Sequence, residues 1–168
     1  MLETVAAILV VALLAAYGTW LAGRLDRLEA RIEASRQSLE AQLVRRAATA
    51  ERLAGLLPPS PEREELGRAA RAALAAPPTG REEAESALTR AARVIGNEAA
   101  PPVPSGAVPW EVLAELAEAT GRVQLARQFH NDAVHALRAL RSRRIVRVMR
   151  LSARRAAPVY FEFDDGRV

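Results

Sequence analysis

Between Glu3 and Arg24 the chain carries no charged residue, and positions 4–22 form an unbroken apolar run that ends near Tyr17 and Trp20. In a helix these nineteen residues rise about 28 Å, close to the ~30 Å hydrocarbon thickness of a bilayer. The pattern predicts a transmembrane helix over 4–22. A cleaved signal peptide is the competing reading, but such a segment needs a basic start and a cleavage site, and here the only preceding charge is Glu3. Tyr17 and Trp20 suit the headgroup zone. No Arg or Lys precedes the run, whereas Arg24, Arg27, Arg31 and Arg36 follow it. The positive-inside rule then sets a short external N-terminus (1–3) and a cytoplasmic domain, in a cell inner membrane or plasma membrane.

Beyond the run, the period changes to that of an amphipathic helix. Leu25, Leu28, Ile32, Leu39, Leu43, Ala50, Leu53 and Leu57 recur at helical spacings, with Arg27, Glu29, Arg31, Glu33, Arg36 and Glu40 on other faces. Glu33, Arg36 and Glu40 sit at helical pair spacings, which adds a few tenths of a kcal/mol and no chemistry. Pro58, Pro59 and Pro61 stop this helix. Two shorter helices follow, 61–76 and 81–95. Ser60 precedes proline and Glu62, Glu64 and Glu65, and Thr79 precedes Glu82, Glu83 and Glu85. Both look like caps followed by first-turn acids, not catalytic carboxylates.

The stretch 96–109, rich in Pro and Ala, reads as a linker. Helix resumes near Trp110, an expected packing anchor, with a plausible break at Gly121. Val123, Ala126, Ala133, Leu137 and Leu140 mark the face of a last long helix. Residues 159–168 alternate and are aromatic and acidic, which predicts an extended tail laid on a helical bundle. The expected fold is all-α: a transmembrane helix continuing into an antiparallel bundle of four-helix type over 23–158. A near-heptad stripe of this length can also form a coiled coil with a second copy.

Composition sharpens the fold and weakens one inference. Half the residues are apolar, yet only 4% are aromatic; an apolar half so heavy in Ala and Leu favours helix over sheet. The absence of cysteine excludes disulfides and thiol chemistry. Every basic residue is arginine, which resembles the codon bias of a GC-rich bacterial genome. The basic pI therefore overstates selection for anionic partners.

The run Arg127-Gln128-Phe129-His130-Asn131-Asp132-Ala133-Val134, followed by Leu137, Leu140 and then Pro158-Val159-Tyr160-Phe161-Glu162, resembles the C-terminal part of the LemA family. The layout is similar too: a short external N-terminus, one membrane helix, then cytoplasmic helices. The resemblance implies that Arg127, His130, Asn131 and Val134 are motif residues, with His130 where the family usually has tyrosine. The roles expected for them are structural. The family has no agreed activity, so the resemblance implies topology rather than mechanism.

Catalytic and cofactor patterns are not found: the glycines are scattered singly, without a phosphate-binding loop. His130 and His135 lie about 140° apart on a helix and cannot share a metal as an i,i+4 pair would. The expectation is a non-enzyme with no cofactor. The strongest remaining signal is basic: Arg138, Arg141, Arg143, Arg144, Arg147, Arg150, Arg154 and Arg155 fall in a stretch with no acid from Ala133 to Phe161. In a tethered protein, anionic headgroups of the bilayer are the nearest partner. Nucleic acid is disfavoured, since aromatics for base stacking are lacking. Two readings follow: a membrane-anchored scaffold or adaptor with an unidentified protein partner, and an inner-leaflet binder of anionic lipid or another polyanion through 138–155.

Overall fold

The structure, a computed structural model, describes residues 1–98, 110–142 and 158–164, excluding the side chains of 97 and 98. Among them all regular structure is α-helical, as expected: α1 (Leu2–Leu56), α2 (Pro61–Ala75), α3 (Arg81–Glu98) and α4 (Trp110–Arg141). Residues 158–164 have no regular secondary structure.

Local chemistry accounts for most boundaries. The apolar run and the amphipathic stripe form one helix, because nothing between Ala22 and Arg24 breaks it; Gly23 alone costs ~1 kcal/mol relative to alanine. The prolines after Leu57 end α1. Ser60 caps α2: its backbone is extended (φ −157°, ψ 159°) and Oγ accepts the Arg63 amide at 3.1 Å. Ala76, extended before Pro77, ends α2.

Four details differ from the sequence reading. Helix α3 starts at Arg81 as expected, but the amide of Ala84 donates to Gly80 O at 3.1 Å, so Gly80, not Thr79, precedes it, at the end of a Pro77–Gly80 turn closed at 3.0 Å. Helix α3 runs on to Glu98, into the expected linker, because Gly96 is a tolerable helix residue; 99–109 lies outside the described residues. Gly121 is no break, since one exposed glycine cannot offset strong helix formers on both sides. Trp110 is 56% exposed and does not act as a buried anchor.

The chain divides into two compact units. The first comprises Met1–Arg36 and His130–Tyr160. Its core is small: Leu21 and Leu25 with Leu137 and Leu140, flanked by Leu28 and Ile32. Because Leu21 and Leu25 meet the end of α4 while Ser35 meets His130, the two helical segments run in opposite senses. Before Leu21 the large apolar side chains of α1 are uncovered; Val5, Ile8, Leu9, Val10, Val11, Leu13, Leu14 and Trp20 are all exposed.

The second unit comprises Gln37–Phe129 and Phe161–Val168. Its main core joins Ala47, Ala50, Leu53, Ala54 and Leu57 to Leu66, Ala69, Ala70 and Ala73 of α2, to Leu88, Ala91 and Ile95 of α3, and to Leu116 of α4. Alanine supplies much of this interface, which permits close helix approach but buries little area per residue. The few leucines therefore carry a large share of the hydrophobic stabilisation. A second cluster sets Leu39, Leu43, Val123 and Ala126 around Phe163, with Phe161 beside it.

Leu66, fully buried, is accordingly a sensitive position. Leu66→Ala is expected to destabilise by about 2–5 kcal/mol. Leu56→Ala, at an exposed position, is expected to change stability by less than about 0.5 kcal/mol. Urea unfolding of the full chain followed by circular dichroism measures both.

Candidate functional site

The basic segment begins where α4 ends. Arg141 approaches α1, with Nη2 donating to Glu29 Oε1 at 2.8 Å, and its side chain is only 14% exposed. Arg138 donates through Nε and Nη2 to Pro158 O, at 3.0 and 2.6 Å. Its guanidinium also stacks 4.2 Å from the Tyr160 ring centroid. Both arginines thus make contacts within the protein, in addition to the anion-contact role expected of them. Arg143, Arg144, Arg147, Arg150, Arg154 and Arg155 lie outside the described residues.

Both flanks of that basic stretch are held in this unit. On one side Leu137 and Leu140 pack on Leu21 and Leu25, at the end of the uncharged run. On the other, Pro158 and Tyr160 are fastened to Arg138. Nearby, Arg24 lies 5.6 Å from the Trp20 ring centroid, and Tyr17 and Trp20 are 5.8 Å apart. Aromatic rings beside a guanidinium, at the end of an apolar stretch, are the groups that suit a membrane–water boundary.

The four motif residues have structural surroundings. His130 is 5% exposed. Nδ1 lies 3.2 Å from Ser35 Oγ and Nε2 lies 3.4 Å from Val159 O. A carbonyl only accepts, so a ring N–H at Nε2 faces Val159 O, while the Ser35 hydroxyl beside Nδ1 also donates to Ile32 O at 2.8 Å. His130 so ties α1, α4 and the 158–160 segment together, as expected of a buried histidine. Val134 is fully buried. Arg127 Nη1 donates to Phe163 O at 3.4 Å, and its guanidinium lies 5.2 Å from the Phe163 ring. Asn131 is half-buried and has a partner.

The most unusual cluster was not anticipated. Arg46 of α1 is 3% exposed, and Glu85 of α3 is fully buried; they form an ion pair. Arg46 Nη1 also donates to Thr89 Oγ1 at 3.2 Å, and Nη2 to Glu85 O at 3.3 Å. The Arg46 guanidinium lies 5.2 Å from the ring of Phe163, so that ring has guanidinium groups from α1 and α4 about it. The backbone around Phe163 is fastened to α3, with Glu162 N donating to Glu82 Oε1 at 2.8 Å and Asp164 N to Ser86 Oγ at 3.0 Å. Arg81 completes the periphery by pairing with Glu40 and donating to Ala73 O.

Glu85 is therefore a core residue and not a solvated first-turn acid, whereas Glu82 and Glu83 are exposed. A signal was present: Glu85 lies three residues before Leu88, and Arg46 three after Leu43, each in phase with an apolar stripe. Burial pushes the Glu85 carboxyl above its ordinary range, outweighing the opposing pull of Arg46, its hydrogen bond and Arg81. Glu85 Oε1 and Arg46 Nε have no hydrogen-bond partner among the described residues. No three His, Asp or Glu side chains converge on a cation site among the described residues.

The chain matches no family model, no curated protein and no solved structure.

The raised carboxyl makes a signed prediction. With the folded value above the unfolded ~4.3, the native state binds the extra proton. The contribution of Glu85 to stability is thus full below that value and is lost as pH rises through the folded one. Glu85→Gln removes the effect. Urea titrations at pH values from about 4 to 8 are expected to show the stability difference moving steadily in favour of the variant; movement toward the natural chain would contradict it.

Proposed function

We propose that the chain is a single-pass membrane protein whose N-terminus is outside and whose helical remainder is a cytoplasmic scaffold or adaptor. The observation that carries this reading is the uncovered apolar surface of α1. This helix is long and apolar enough to cross a membrane, and its apolar window is almost wholly exposed, unlike a buried core helix. Water around so many exposed Val, Ile and Leu side chains is unfavourable by ~25 cal/mol per Å², and a bilayer removes that cost. The arginines after Ala22, with none before Glu3, favour the stated orientation.

The adaptor half of the proposal has a weaker but specific support. Leu125 and Phe129 are one turn apart on α4 and both exposed, at 53% and 56%. Paired exposed apolar side chains suit contact with another protein. The bundle arrangement over 23–158, an extended tail over 159–168 and the LemA likeness of Arg127, His130, Asn131 and Val134 belong to the same proposal. No enzymatic role is proposed.

A second reading is favoured by one observation: the end of α4 meets α1 at Leu21 and Leu25, next to the proposed exit from the bilayer. The arginines of 143–155 would then start beside anionic headgroups, each worth about 1 kcal/mol near the surface. Charge reversal at Arg143, Arg144 and Arg147 separates the two readings. Unchanged binding to phosphatidylglycerol vesicles would remove the lipid reading.

Extraction tests the anchor. The full chain is expected to stay with membranes in an alkaline carbonate wash. Leu9→Arg with Leu13→Arg, each costing about 2.5–3.5 kcal/mol at the centre of a span, is expected to release it. Release of the unaltered chain would overturn the proposal. For the adaptor half, Leu125→Asp with Phe129→Asp is expected to abolish cross-linking to a partner in native membranes while leaving helix content unchanged.

A further inference from the structure

A cavity of about 400 Å³ lies in the second unit, bounded by α1, α3 and α4. Its size is that of a small-molecule site. Leu88, Leu113, Leu116 and Ala117 give it a mainly apolar wall, and Arg46 and Arg93 stand in the same lining. The two arginines differ. Arg46 is buried and held by Glu85, yet its Nε–H has no acceptor among the described residues. Arg93 is exposed and has no carboxylate partner among them.

Charge and hydrogen bonding both point to one kind of occupant. The lining holds two guanidinium groups and no carboxylate; Arg46 is paired with Glu85 behind it, and Arg93 is paired with none among the described residues. Nearby acids on α4 are engaged elsewhere, Glu115 with Arg52 and Glu118 with Arg122. A buried donor without an acceptor is unfavourable until one arrives. A neutral apolar guest would fill the wall but leave Arg93 and the Arg46 Nε–H unanswered. An inorganic anion would answer them but leave the leucine wall empty.

We propose that this cavity binds a small amphiphile with an apolar body and one carboxylate, of the short-chain fatty acid type. The body lies against Leu88, Leu113 and Leu116, and the carboxylate accepts from Arg93 at the mouth, with a second oxygen available to the Arg46 Nε–H. Carboxylates have lone pairs enough for both donors. The proposal goes beyond the anchor and adaptor reading and does not depend on it, since every residue invoked belongs to Gln37–Phe129.

The test uses the full chain in phosphatidylcholine nanodiscs, or in buffer if it proves soluble without lipid, and octanoate labelled with carbon-13 at the carboxyl. Saturable binding is expected, seen as a carboxyl resonance shift absent from empty nanodiscs, with 1-octanol competing weakly. Arg93→Gln, at an exposed position, is expected to weaken octanoate by about tenfold or more and leave 1-octanol unchanged, the loss of one charge-assisted hydrogen bond. Ala117→Phe, which fills the cavity, is expected to abolish both. Non-saturable octanoate uptake, or octanoate binding indifferent to both substitutions, would overturn the proposal. Equal affinity for octanoate and 1-octanol would overturn its carboxylate part. Circular dichroism of each variant ensures that lost binding is not lost fold.

Discussion

An uncharged helical stretch of nineteen residues must be kept from water, and the rest of the account depends on how. In the first unit the protein covers only its end, where Leu21 joins Leu25, Leu137 and Leu140. The side chains before it remain bare. On the reading proposed, lipid covers them, and Trp20 and Arg24 mark the level at which lipid gives way to water. The same constraint gives the end of α4 its significance. The described residues that flank the basic stretch are fastened in the same unit, Leu137 and Leu140 to α1 and Pro158 to Arg138.

The second unit addresses a different problem, that of building a core from small side chains. Alanines of α1, α2 and α3 let helices approach closely, but they provide little apolar area each. Polar contacts then matter more than usual for specifying which helix faces which. The pair of Arg46 and Glu85 links α1 to α3, and Phe163 lies against Arg46 while its flanking amides bond Glu82 and Ser86. Buried ion pairs contribute little net stability after desolvation. The value of this one lies in register: a shifted α3 would leave a guanidinium and a carboxylate both buried and unpaired.

Much of this was legible in the sequence because helix signals are local. Periodicity gave α1 and α4, and proline with Ser60 gave the start of α2. Misjudged points arose where a local signal competed with its surroundings. Gly96 and Gly121 look like breaks but cost only ~1 kcal/mol each, less than continuing the helix returns. Thr79 looks like a cap, yet the turn from Pro77 puts Gly80 in the position before the first residue of α3. By position Glu85 groups with Glu82 and Glu83 as a first-turn acid; only its phase with Leu88 distinguishes it, and that phase has meaning only once α1 lies opposite. The arginine run was visible at once, but no sequence feature showed that Arg138 would hold Pro158 or that Arg141 would reach Glu29. His130 was expected to be packed, and the structure supplies its partners, Ser35 and Val159.

The most direct test of the central claim is which side of a membrane each end of the helical chain faces. The sequence has no cysteine, so single cysteines report without background. Leu2→Cys and Ser142→Cys, both at exposed positions, would be treated with a membrane-impermeant maleimide in intact cells and again after lysis. Labelling is expected of Leu2→Cys in intact cells and of Ser142→Cys only after lysis. Labelling of Ser142→Cys in intact cells, or labelling of both positions only after lysis, would contradict it.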